Sequence, residues 1–395
     1  MRQMAIIRKN NCFISAILDD QVLDNVIVDE VEDSALRTGD IYVGRVSHIV
    51  NNIHAAFVEV QKGVMCYLPM SGQQGQAGEG KTRIVQGMEF PVQVQKAAVK
   101  SKQAVVSRKL EFAGKYGVVT TENLSRSISG KICREPERKR LTGILNELKQ
   151  ELKEAGVGII LRTSCEGEEG EVILRECRHL IDEVKATLRY ADSRTALSKL
   201  YTAPYEFVKV LLDTKTGAFE RIITDEPEVY ELLRQKPDME GANLVFYDDK
   251  DYSLDKLLGI HTKLKKAMEK HVWLKSGGSL VIEPTEALTV IDVNTEKAVD
   301  GKRNRETTFF KINREAVKEA ARQIRIRNLS GIILIDFIDM KEKEHINMVL
   351  QELEQEFQKD NVRTTVVDIT KLGLVEITRM KVRKPLSAFC IKESL

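Results

Sequence analysis

The chain has 395 residues, 42% of them hydrophobic and 30% charged, and its 61 lysines and arginines nearly balance 59 acids. That length is too great for one small core, and the composition describes an ordinary soluble protein built of two or more folded units. Its six cysteines (Cys12, Cys66, Cys133, Cys165, Cys177 and Cys390) never form a C-x-x-C pair, which argues against a zinc signature and a disulfide framework. The opening MRQMAIIRKNNCF lacks the apolar stretch of a signal peptide, and no apolar run approaches the roughly 20 residues of a membrane span, so a cytoplasmic protein with reduced thiols is expected.

Residues 1 to 35 read as short strands, CFISAIL and NVIVDEV, about a turn at LDDQ. From TGDIYVGRVSHIVNNIHAAFVEVQKGVMCYLPM through EFPVQVQKAAV and QAVVSRKL, short β-rich runs alternate with Gly, Asn and polar turns, the texture of a small barrel. The Gly/Gln-rich SGQQGQAGEGK within it predicts a mobile loop. Residues 116 to 200 change to α/β texture: a helix in RKRLTGILNELKQELKEAG, a strand in VGIILRT, the acidic loop CEGEEGE and a long helix in EVILRECRHLIDEVKATLRYADS. A hairpin is expected in EFVKVLLDTKTGAFERIITD, then helices around EPEVYELLRQK and LDKLLGIHTKLKKAMEKHV. A second hairpin, SLVIEPTEALTVIDVN, precedes a basic helix over about 306 to 327, the strand GIILID, a helix near 344 to 359 and strands in VRTTVVDIT and LVEITRMK.

The chemistry gathers on two of these strands. GIILIDFIDM opens on a glycine and reads as a strand buried on both faces, a costly place for Asp336 unless a cation meets it. LTVIDVN sets Asp292 in similar surroundings, with Asn294 two residues on and therefore on the same face. If the two strands share a sheet, the two carboxylates meet, and an oxygen-only site favours Mg²⁺ or Mn²⁺. The bland alternative is that each acid only starts a loop or caps a helix. Basic residues, among them Lys297, Lys302, Arg303, Arg305, Lys311, Arg314, Lys318, Arg322, Arg325 and Arg327, crowd the stretch before GIILID. They suit a phosphate backbone, or else form a solvated face balanced by Glu315 and Glu319.

LTVIDVNTEKAV, followed by ETTFFKINREAVKEAARQIRIRNLSGIILIDFIDM, resembles the catalytic region of the ribonuclease E/G family of bacterial endoribonucleases. The resemblance extends over nearly the whole chain, with GDIYVGRVSHIVNNIHAAFVEV similar to the family's OB-fold and GIILRT to its 5′-end sensor. It implies an α/β multidomain protein. An RNase H-like domain (1–35 and 205–275) would be split by an OB-fold barrel (36–115) and a 5′-sensor (116–204), with a DNase I-like catalytic domain (276–395) following. It further implies metal-dependent cleavage of single-stranded RNA to 5′-phosphate and 3′-hydroxyl ends, in processing of ribosomal RNA precursors and decay of messenger RNA. Asp292 and Asp336 would hold Mg²⁺, or Mn²⁺, and Asn294 would orient a ligand or water; Asp339 acquires no direct metal role.

Arg162 and Thr163, with backbone from Gly114 to Val118, correspond to the family's 5′-monophosphate pocket, unless Arg162 only pairs with a nearby glutamate. Glu166, Glu168 and Glu169 follow closely, a departure from the family that would repel phosphate if they turned inward. Phe57 and Tyr67 correspond to base-stacking aromatics, against the alternative that Phe57 is barrel core, and Arg45 and His54 to backbone contacts. Lys302, Arg303, Arg305 and Lys311 are chosen from charge to steady the RNA. Fuller members carry a C-P-x-C zinc link, whereas KVRKPLSAFCIKESL has a lone Cys390, so no zinc is expected and a homodimer would form without that link. The rival reading is a non-catalytic RNA-binding protein of the same descent.

Overall fold

The computed structural model describes residues 1–31, 36–70, 84–98, 102–214, 218–236, 243–295 and 305–389. The loop SGQQGQAGEGK, Lys297, Lys302, Arg303 and Cys390 lie outside the described residues. The chain divides into two compact units, Met1–Glu30 with Gly217–Leu395, and Val31–Thr216. No described helix is long and apolar enough to cross a membrane, and no disulfide forms among the described residues.

The first unit contains two sheets. One runs in the order Leu244–Phe246, Arg221–Thr224, Arg2–Lys9, Cys12–Asp19, Val22–Glu30. Its last two strands form the expected hairpin about Asp20 and Gln21, both at positive φ, the geometry of the primed turns that match strand twist. The other sheet runs His271–Trp273, Ser279–Pro284, Leu288–Asn294, Gly331–Asp336, Val375–Arg379, Thr364–Ile369. Only Leu288–Asn294 and Gly331–Asp336 are parallel within it. A parallel pair needs a crossover, and helix Arg305–Arg327 lies between the two strands in sequence.

That helix serves both sheets. Ile312, Ala316, Val317, Ala320, Ala321 and Ile324 pack with Val349, Leu353 and Phe357 of helix Lys343–Gln358 on one face of the six-stranded sheet. Ile326 joins the core of the five-stranded sheet instead. Arg322 donates to the Leu23 carbonyl at 2.6 Å and Arg325 to Asp24 at 2.7 Å. The far end of the six-stranded sheet is pinned by Arg379, whose guanidinium meets Asp360 at 2.8 Å and also donates to the Asn328 side chain and the Leu329 carbonyl.

In the second unit, strands Ile41–Val50, Ala55–Gln61, Val64–Pro69, Val105–Ser107 and Glu89–Lys96 pair in turn, and the last returns to the first, closing a five-stranded OB-like barrel. Val46, Val58, Val60, Leu68, Val92 and Val106 fill it. A four-stranded sheet, Arg126–Ile128, Gly158–Leu161, Gly117–Thr120 and Glu111–Ala113, carries helices Glu135–Glu147, Lys149–Ala155 and Gly170–Ser193.

Three expectations are corrected. EFVKVLLD is helix Glu206–Asp213, not the first arm of a hairpin. Its Phe207, Val208, Val210, Leu211 and Leu212 are buried while Glu206, Lys209 and Asp213 are not, and that i, i+3, i+7 spacing of polar residues is the helical period. The helix expected through KHV stops at Ala267, and His271–Trp273 is an edge strand. GIILID is covered on one face only: Ile333 and Ile335 are buried, while Ile332 is 50% exposed.

The Arg379 and Asp360 side chains are 1% and 3% exposed. Removing one partner leaves the other charge in the core, so Asp360→Ala is expected to lower unfolding stability by about 3–5 kcal/mol. Urea denaturation checks this, and a loss near zero would show that the pair is not an anchor.

Candidate functional site

The parallel register sets Asp292 directly opposite Asp336. Ile291, Val293, Ile333 and Ile335 turn inward to the helices, so alternation sends both carboxylates to the other face. There Asp336 is exposed and Asp292 half-buried. Asn294 Nδ2 donates to Asp292 Oδ2 at 2.8 Å, which fixes that carboxylate. Partial burial, then the charges of Asp292 and Asp339, hold the Asp336 carboxyl above its ordinary range. Two adjacent carboxylate oxygen donors suit a hard divalent cation. Among the described residues no three His, Cys, Asp or Glu side chains form a metal-binding group, so such a cation would complete its shell with water or substrate oxygen.

The segment after Asp336 is gripped from the crossover helix. The wholly buried Asn313 donates from Nδ2 to the Ile338 carbonyl at 2.8 Å and accepts the Ile338 N–H at 3.1 Å. Glu306 accepts the N–H groups of Glu342 and Lys341, each at 3.1 Å, and contacts His345. Those backbone donors lower its carboxyl from the ordinary value. Phe310 stacks on the His345 ring at 4.1 Å. Glu306, Phe310 and Asn313 recur at helical spacing, a signal available in ETTFFKIN, but their partners could not be read from it.

Arg162 leaves strand Gly158–Leu161 and donates to the Gly114 carbonyl at 2.7 Å and to Asp213 at 2.5 Å. Gly114 has no room for a side chain, since a Cβ would lie 2.4 Å from Glu176 Oε1. Glu176 accepts the N–H groups of Tyr116 and Gly117 at 2.7 and 3.2 Å. Val118 continues this stretch in strand Gly117–Thr120, and Thr163 is exposed beside Arg162. The acidic loop makes other contacts: Glu166 pairs with Arg134 at 2.6 Å, and Glu168 accepts the Tyr116 hydroxyl at 2.8 Å. The acid that reaches Arg162 is Asp213, at the end of the helix misread as a strand.

On the barrel, Phe57 alternates with the buried Ala56 and Val58 and faces outward, half-buried, so it is not barrel core. It meets Tyr67 edge-on at 6.0 Å and stacks on His48 at 4.6 Å, a neighbour that sequence reasoning missed. Arg45 pairs with Glu89 at 2.9 Å, and His54 occupies a left-handed turn position. The basic helix divides: Arg314 pairs with Glu352, Arg322 with Glu319, and Arg325 and Arg327 are buried on internal acceptors. Arg305 and Lys311 are exposed.

A carboxyl held above its ordinary value weakens folding where the unfolded chain would ionise freely, and has no effect where both states are protonated. Asp336→Asn is therefore expected to raise Tm slightly at neutral pH in EDTA, the effect being small because solvent screens an exposed group. The difference should vanish in acid below the carboxylate range. Calorimetry across pH checks the sign, and a lower Tm at neutral pH would refute the crowding.

The sequence profile of the Ribonuclease E/G family matches residues 111–382. Ribonuclease G of Haemophilus influenzae is 33% identical over 375 residues, covering 90% of this chain and 75% of that protein. Ribonuclease G of Escherichia coli strain K12 is 34% identical over 390 residues, covering 93% and 78%. A protein of Buchnera aphidicola described as putative ribonuclease E is 31% identical over 392 residues, covering 94% and 93%. With a family match across most of its length and relatives of 33–34% identity that cover nine-tenths of it, the chain belongs to the ribonuclease E/G family.

Proposed function

We propose that this protein is an endoribonuclease that uses Mg²⁺ or Mn²⁺ to cut single-stranded RNA into 5′-phosphate and 3′-hydroxyl ends, in ribosomal RNA processing and messenger RNA decay. The observation that carries the reading is the in-register pair of Asp292 and Asp336 on an open sheet face, with Asn294 hydrogen-bonded to Asp292. Asp292 and Asp336 would hold the cation, which when bound supplies charge neutralisation at the scissile phosphate and an acidified water. Asn294 fixes the Asp292 carboxylate, and the Asn313 grip on Ile338 keeps the Asp336 segment in place for it. In this reading the six-stranded sheet is DNase I-like and the five-stranded sheet RNase H-like.

Family membership supports the remaining assignments. Phe57 and Tyr67 offer faces to unpaired bases, worth about 1–3 kcal/mol per base. Arg45, Arg305 and Lys311, with Lys302 and Arg303, attract the phosphate backbone. Arg162 and Thr163, with the Gly114 to Val118 backbone, receive a 5′-monophosphate, because a guanidinium fork matches phosphate oxygens. An incoming phosphate competes with Asp213, which already occupies Arg162.

The test is incubation of a 5′-monophosphorylated, A/U-rich single-stranded RNA with Mg²⁺ or EDTA. Cleavage is expected from the wild type only, and is lost in EDTA, in Asp292→Asn and in Asp336→Asn. Binding without cleavage at any Mg²⁺ or Mn²⁺ concentration would instead make the protein an RNA binder. Asn294→Ala is expected to weaken activation by the metal about 10- to 100-fold. Asp213→Asn, by freeing Arg162, is expected to raise the preference for 5′-monophosphate over 5′-hydroxyl RNA about two- to fivefold, the scale of an exposed ion pair. Arg162→Gln should erase that preference, and a lower preference in Asp213→Asn would show that Asp213 merely orients Arg162.

A further inference from the structure

Edge strand His271–Trp273 holds the chain's only tryptophan, and that side chain is 60% exposed. Trp is highly buried on average, and an indole left in water is the kind of exposed apolar group that calls for an explanation. The sheet register says which way it faces. Trp273 is paired with Ser279, and Ser279 with Asn294. One row along, His271 is paired with Val281, Val281 with Asp292, and Asp292 with Asp336. Cross-strand partners share a face, so Trp273 stands on the carboxylate face of the sheet. With strands about 4.8 Å apart, it is two strands, or about 10 Å, from Asn294.

We infer that Trp273 is a stacking platform for a nucleobase of the RNA strand whose backbone lies at Asp292 and Asp336, an inference that rests on the proposed nuclease reading. Two observations, and the chemistry of stacking, favour a base over other occupants. The row joining the indole to Asn294 is polar, with the buried Ser279 between them, and in the carboxylate row the half-buried Val281 is the one apolar residue. His271 and Lys275, both exposed, lie two positions to either side of Trp273 in the sequence and are groups that can meet a phosphate backbone. An aromatic face accepts any base, as a nuclease acting on varied single strands requires. Trp273 therefore holds a nucleotide at a distance from the scissile bond and takes no part in the proton or phosphoryl transfers.

A single tryptophan makes the site self-reporting, because all indole emission comes from this position. The experiment titrates Asp336→Asn protein in EDTA with a 5′-monophosphorylated, A/U-rich oligoribonucleotide, following indole emission and the anisotropy of labelled RNA together. Saturable quenching that tracks the anisotropy is expected. In otherwise wild-type protein with Mg²⁺, Trp273→Ala is expected to raise KM at least about fivefold while leaving kcat at saturation little changed. Trp273→Phe should restore most of the loss. RNA binding with unchanged emission and a neutral Trp273→Ala would overturn the inference and leave the nuclease reading intact. An emission shift that depends on protein concentration without RNA would assign the indole to a protein contact, and would also overturn it. Absence of RNA binding by either readout would defeat the nuclease reading and this inference with it.

Discussion

Asp292 and Asp336 lie side by side because two strands, distant in sequence, pair in parallel, and everything at this end of the unit serves that register. Slipping the pair by one residue would turn every side chain of one strand to the opposite face. Ile333 and Ile335 would leave the core and Asp336 would enter it. The burial of Ile291, Val293, Ile333 and Ile335 against the crossover helix thus fixes the carboxylates as firmly as any contact the acids make themselves. Asn313 extends the constraint beyond the strand, holding both polar atoms of the Ile338 peptide from a site with no access to water.

The basic stretch shows how little composition says about where charge goes. Arg325 and Arg327 are buried, and burial lowers the Arg327 guanidinium to about 10, which still leaves it charged at neutral pH. Such groups persist in a core only with acceptors in place, here Asp24 for Arg325, and Gln323 and the Glu269 carbonyl for Arg327. Of the described arginines of this helix, Arg325 and Arg327 are internal fasteners, Arg314 and Arg322 are paired with Glu352 and Glu319, and Arg305 is exposed. On the described part of the helix, the exposed cations free of a recorded ion pair are Arg305, Lys311 and Lys318.

The hairpin SLVIEPTEALTVIDVN and the crossover helix were legible because hydrophobic period and turn residues agree there, while an acid in each of two apolar strands suggested their pairing without fixing it. EFVKVLLD was not, since its helical period rests on only three polar residues, Glu206, Lys209 and Asp213, in a segment of eight that is otherwise apolar. GIILID looked covered on both faces because Ile332 and Leu334 are as apolar as their buried neighbours, and only the tertiary structure reveals that one face lacks a helix layer. Asp213 and Asn313 were missed for a different reason. Each acts on a partner well removed in the chain, through contacts that no local pattern encodes.

Helix Arg305–Arg327 packs on one sheet through Ile312, Ala316 and Ala320 and reaches the other through Arg322, Arg325 and Ile326. The order of synthesis gives this arrangement a cost. Strand Arg2–Lys9 waits for Arg221–Thr224, and the Leu23 carbonyl and Asp24 wait for arginines roughly 300 positions later in the sequence. The first hairpin therefore leaves the ribosome long before its permanent neighbours exist, with an unpaired edge and uncovered apolar residues. High contact order of this kind slows folding.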